Sequence, residues 1–105
     1  MNLMELRHEV LLQLCCHALD WVNSVYPLSS NYISNSINEP LKDVRRVLQV
    51  LKTEGYIKSY KVCYVGEERN CLMNGWKITN NAMSTEEYKI ACQKEEEYLK
   101  EIELK

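Results

Sequence analysis

ISNSINEPLKDVRRVLQVLKTEGYI, residues Ile33 to Ile57, contains a short helix, a tight turn, a longer helix and the start of a strand. Ser29 or Ser30 can cap the first of these helices, over about residues 30–37, with Ile33 and Ile37 as its apolar points. Asn38 tolerates the left-handed conformation that ends a helix, and Pro40 suits the first turn of the next, where its missing N–H costs nothing. That next helix spans about Pro40 to Glu54 and buries Leu41, Val44, Val47, Leu48 and Leu51. Gly55 follows at the position that favours a left-handed stop.

Toward the N-terminus, Leu3, Leu6, Val10, Leu14, Ala18, Trp21 and Val25 recur at helical spacing, which predicts one long helix over residues 3–25 with a buried face. Leu12 and Leu19, with Cys15 nearby, project from the opposite side. The expected arrangement is therefore a core face plus a subunit interface; cover from both sides within one chain is the simpler alternative. Pro27 stops the helix, and residues 26–28 supply a short extended segment. Toward the C-terminus, residues 56–65 are rich in β-branched and aromatic side chains, 66–70 read as a loop, and 71–79 as a return strand. Asn74-Gly75 reads as a bulge or an alternative turn. Ser84 and Glu87 have the spacing of a reciprocal capping box and open a last helix, with Tyr88, Ala91, Cys92, Leu99 and Ile102 along one stripe. The order predicts an α+β chain.

Composition narrows the function classes. The chain has 105 residues, 46% apolar and 27% charged, with three glycines and two prolines, which fits one folded domain and excludes wholesale disorder and fibrous architectures. No apolar run is long enough to span a bilayer, so a cytoplasmic protein without a membrane partner is expected. Five cysteines without Cys-x-x-Cys spacing read as small buried hydrophobes. The net charge of −2 conceals a division: residues 40–61 hold six basic and two acidic side chains, whereas residues 84–105 hold four and seven.

Taken together, the helix, extended segment, helix, turn, helix, hairpin and helix resemble the winged helix-turn-helix family of bacterial, archaeal and viral regulators. Ile33 and Ile37 match the apolar points of its second helix, and Val44, Leu48 and Leu51 those of its recognition helix. Gly55-Tyr56-Ile57 is similar to its exit into the first wing strand, and Gly75-Trp76-Lys77-Ile78-Thr79 to the end of the second. The turn departs from the family, reading Asn38-Glu39-Pro40-Leu41 where a glycine and an aliphatic residue are usual. The resemblance implies a winged-helix domain over residues 1–83, with a three-helix core and a β-hairpin wing. Residues 84–105 would form a C-terminal helix serving as a dimerisation arm.

With its aliphatic stripe inward, the third helix presents Lys42, Arg46, Gln49 and Thr53 outermost, flanked by Arg45 and Asp43. In a major groove, arginine pairs with guanine and glutamine with adenine, while Lys42 meets phosphate. The wing resemblance adds Lys58, Lys61, Arg69 and Asn70 as DNA contacts, although Glu67 and Glu68 beside Arg69 repel phosphate. Tyr60 and Tyr64 read as cross-strand packing. Leu12, Leu19, Tyr88, Cys92, Leu99 and Ile102 are the expected dimer contacts. His8 and His17 lack the partners of a catalytic or metal site, and no phosphate or dinucleotide loop occurs, so no enzyme activity, metal or cofactor is expected. The resulting expectation is a sequence-specific transcriptional regulator that binds double-stranded DNA as a homodimer on a palindrome. The alternative is a winged-helix interaction module that modulates another protein, such as a repressor or nuclease, without reading DNA.

Overall fold

Short-range hydrogen bonds set most helix ends in the computed structural model, which describes residues 1–65 and 70–103, with the backbone alone at residues 64, 65, 70 and 71. Asn2 Oδ1 accepts from Glu5 N–H at 2.8 Å and opens α1, Leu3–Leu19. Ser29 Oγ accepts from Tyr32 N–H at 3.1 Å and opens α2, Ser30–Ile37, which Asn38 closes in the left-handed region at φ 56°. The next helix, α3, covers Leu41–Thr53 and runs out into Gly55 at φ 86°. Pro40 stands just before α3 rather than inside its first turn. Its carbonyl accepts from the N–H groups of Asp43 and Val44, at 3.1 Å each.

The first helix stops six residues short of the predicted Val25. The Asp20 carboxylate accepts from Val22 N–H at 3.1 Å, Asn23 N–H at 3.2 Å and Asn23 Nδ2 at 2.9 Å. These local bonds compete with helical ones and draw the following residues into turns. Trp21 and Val25, expected on the buried face, are consequently 84% and 56% exposed. Leu3, expected there too, is exposed at the opposite end of the helix.

β1, Ile57–Val65, pairs antiparallel with β2, Asn70–Ile78, residue for residue from Ile57 opposite Ile78 to Val65 opposite Asn70. Asn74-Gly75 is thus neither a bulge nor a turn, and Asn70 belongs to β2 rather than to a loop tip. What Gly75 supplies is room for another backbone. Leu28 forms a β-bridge with Trp76, with Trp76 N–H donating to Leu28 O at 2.8 Å and Leu28 N–H donating to Trp76 O at 3.2 Å. The extended segment before α2 therefore docks along the free edge of β2.

A 3₁₀ turn at Asn80–Ser84 buries Ala82 and leads into α4, Glu86–Glu103. The predicted capping box is displaced by one residue. Thr85, not Ser84, caps α4, its Oγ1 accepting from Tyr88 N–H at 3.3 Å. Glu87 does not fold back on the cap; its carboxylate lies 3.1 Å from His8 Nδ1 on α1.

Leu6, Val10 and Leu14 from α1, Ile33 from α2, Val44, Leu48 and Leu51 from α3, and Ile57 from β1 form the buried core, joined by Ala91 of α4. α1 contacts both α3 and α4. Its second apolar side, which the sequence assigned first to a subunit interface, is covered by α4 of the same chain, with Cys15 fully buried. The cover comes from the first half of α4, where Glu87 meets His8, Tyr88 packs on the core and Ala91 is buried, whereas the side chains of Glu96–Glu103 are exposed. The result is an α+β chain of four helices and a two-stranded antiparallel sheet.

Candidate functional site

Burial of Val44, Val47, Leu48 and Leu51 fixes the rotation of α3 about its axis. At about 100° per residue, Lys42, Arg46, Gln49 and Thr53 then share one outward arc, with Arg45 and Lys52 on one flank and Val50 on the other. All seven side chains are exposed. Among the described residues, Lys42, Arg45 and Arg46 form no ion pair, so their charge faces solvent. Thr53 differs, because its hydroxyl donates to Gln49 O at 2.9 Å and is turned back on its own helix.

The flanks have different chemistry. On the sheet side, Lys52 Nζ lies 6.0 Å from the Trp76 ring centre, a cation–π contact that ties α3 to β2. Trp76 is itself oriented by Nε1–H donating to Ser30 Oγ at 3.2 Å. On the α1 side, Val50 and Val47 face Leu3, Met4 and Arg7 across an apolar groove that Arg46 borders. Met4 is 83% and Val50 47% exposed, so this groove opens to solvent beside the basic arc. Arg7 fastens its end, donating from Nε and Nη2 to the Glu54 carboxylate at 3.0 and 2.9 Å. That hydrogen bonding raises the Arg7 pKa above its ordinary value.

The wing lysines expected to act together are separated. Strand alternation places Lys61 on the sheet face that carries Ile57 and Trp76, and Lys58 on the opposite face beside Tyr60. Lys58 also stands directly across from Lys77, whose Nζ rests 4.3 Å from the Tyr60 ring centre. Tyr60 is thus engaged in cross-strand packing. Only Lys61 is on the face of the hairpin that turns toward α3. Arg69 and the side chains of Asn70 and Tyr64 lie outside the described residues.

Of the residues expected in a dimer contact, Leu12, Leu19 and Tyr88 pack against the chain's own core, and Cys92 is half-buried. Leu99 and Ile102, on the last turns of α4, remain 49% and 51% exposed. Between α1 and α4, burial pushes the Cys15 thiol up to about 12 and raises Cys16 as well, which makes both poor nucleophiles.

Lys52 and the groove formed by Leu3, Met4 and Val50 were not singled out from sequence. Lys52 was detectable in principle, three residues beyond Gln49 on the flank that also holds Arg45. The groove had no local signal, since it joins residues more than forty positions apart. Comparison with family models, curated proteins and solved structures finds no match for this chain.

Proposed function

We propose that this chain is a winged-helix DNA-binding protein, a sequence-specific transcriptional regulator that works as a homodimer. The observation that carries the reading is the exposed arc of α3, in which Lys42, Arg46 and Gln49 stand side by side without an ion-pair partner among the described residues. The edge docking of Leu28 against Trp76 supports the winged-helix assignment, because it anchors a two-stranded hairpin beside that helix.

On this reading α3 enters the major groove. Arg46 pairs with guanine O6 and N7, Gln49 with adenine N6 and N7, and Lys42 and Arg45 neutralise phosphates on either side. Lys61 adds a phosphate contact from the hairpin face turned toward α3. Two copies joined through Leu99 and Ile102 would hold their α3 helices about 34 Å apart and bind half-sites one helical turn apart. The acidic end of α4 then points away from the duplex, which keeps a chain of net charge −2 compatible with binding.

Fluorescence anisotropy with a mixed-sequence duplex, then with a selected site, tests the reading over a series of salt concentrations. Affinity should fall steeply as salt rises, with a log–log slope of about −0.9 for each phosphate contacted. Absence of binding even at low salt would remove the DNA function.

A second reading is favoured by the groove of Leu3, Met4, Val47 and Val50, which presents apolar surface where a pure DNA reader needs none. In that case the same face docks another protein, whose binding barely changes with salt. Met4→Lys with Val50→Lys separates the two, since it abolishes an apolar contact and strengthens attraction to phosphate.

A further inference from the structure

The groove between α1 and α3 and the free end of α4 are both left open in the folded chain, and their surfaces are complementary. The groove has a volume of about 180 Å³, below the roughly 300–1,000 Å³ of small-molecule sites, so it suits apolar side chains better than a separate ligand. Leu3, Met4, Val47 and Val50 form its walls, and the only charged residues lining it among those described are Arg7 and Arg46. Arg7 is held by Glu54. Arg46 has no ion pair among the described residues, and neither has Lys42, one turn before it on the same exposed arc. An occupant should therefore bring apolar side chains flanked by negative charge.

The end of α4 has that character. Tyr88 and Ala91, in its first half, pack on the core, and Leu99 and Ile102 continue the same stripe past the half-buried Glu95 into the exposed half. At about 100° per residue, the exposed Tyr98, Ile102 and Leu99 fall within an arc of about 100°. Glu96 and Glu103 border this arc on one side and Glu97 and Glu101 on the other, with Lys100 on the back of the helix. None of these four glutamates forms an ion pair among the described residues. Anchors three and four positions apart are how an amphipathic helix fills an apolar groove. Because α4 is one unbroken helix whose first half is fixed on α1, its end leaves the groove of its own chain uncovered, and both surfaces stay open to a second copy. The geometry points to the α1–α3 groove as the docking site for the α4 end of another copy of this chain, with Leu99 and Ile102 on Met4 and Val50 and the flanking glutamates toward Arg46 and Lys42. This association needs no nucleic acid and does not depend on the DNA reading. An α4 end seated in a groove is not free to meet another α4 end, so this assembly and the proposed DNA-bound dimer exclude each other.

Sedimentation equilibrium of the full chain and of two double variants tests the docking. The contact is small, so it is followed from about 10 µM to about 1 mM protein. The original chain should gain mass with concentration. Met4→Glu with Val50→Glu closes the groove to an acidic helix, and Leu99→Lys with Ile102→Lys removes the apolar anchors, so each variant alone should associate at least about tenfold more weakly. All four positions are exposed, which leaves the core intact. An equimolar mixture of the two variants should associate more strongly than either alone, because the first keeps an intact α4 end and the second an intact groove. That recovery also shows that both variants are folded. A contact between two α4 ends gives the opposite pattern, in which the groove variant associates like the original chain and mixing adds nothing. The proposal is overturned by that pattern, by an original chain that stays monomeric over the whole range, or by a mixture no more associated than its components.

Discussion

Gly75 lies so close to Leu28 that a Cβ on it would stand 2.4 Å from the Leu28 carbonyl oxygen. This contact is between two backbones, so neither partner can yield by rotating a side chain. Gly75→Ala should therefore push Leu28 off the edge of β2 and cost about 1–3 kcal/mol, as overpacking does in well-filled interiors. Urea unfolding checks it: an unchanged midpoint would mean that the bridge between Leu28 and Trp76 contributes little to stability.

Arg46 and Lys61 should behave differently if α3 reads DNA. Arg46→Ala is expected to cost about 1–3 kcal/mol on the preferred site and to relax sequence preference. Lys61→Ala should weaken all sequences alike and reduce the salt slope by about 1. Lys58→Ala, on the opposite face of the hairpin, should change little. Anisotropy on preferred and scrambled duplexes compares the three, and equal losses on both duplexes for Arg46→Ala would exclude it from base readout.

Leu99 and Ile102 are half exposed while the other apolar positions of the proposed dimer contact are taken up by the chain's own packing. Substituting both by lysine should leave stability within about 0.5 kcal/mol, the usual range for surface changes, and shift the protein to monomer. Sedimentation velocity over a range of concentrations measures this. A double variant that sediments as the original chain does would place the dimer contact elsewhere or remove it.

Burial of Cys15 predicts both its reactivity and an alkaline limit on stability. Its thiol is pushed from an ordinary 9.0 up to about 12 in the folded chain. Below pH 9 both states keep the proton and the group has no effect on the balance. Between about 9 and 12 the unfolded chain loses the proton first, so stability should fall as pH rises through that window. Iodoacetamide at pH 8 should label the exposed Cys63 early and Cys15 last, as peptide mass spectrometry would resolve. Early labelling of Cys15 in the native protein would contradict the packing of α1 against α4.

The features legible in the sequence are those whose cause lies within a few residues. Ser29, Asn38 and Gly55 act on backbone groups beside them, so the ends of α2 and α3 follow from composition and order. The outward arc of α3 follows equally, because the inward set of Val44, Leu48 and Leu51 leaves Lys42, Arg46 and Gln49 only one side to occupy. Even some local chemistry misleads when two readings compete. Apolar spacing continues through Trp21 and Val25, yet the Asp20 carboxylate captures the N–H groups that a longer helix would need.

The sequence by itself thus determined the kinds of elements, their order and the basic surface of the third helix. Tertiary structure alone decided that α4 covers α1, that Thr85 and not Ser84 caps α4 while Glu87 turns to His8, and that Gly75 admits the Leu28 backbone. It also decided that Lys58 and Lys61 part to opposite faces and that Val50 meets Leu3 and Met4 in an open groove. The physical reason is common to these cases. A helix cap or an amphipathic stripe is selected by neighbours along the chain, whereas cover, close backbone approach and groove formation depend on which distant segment wins the same surface.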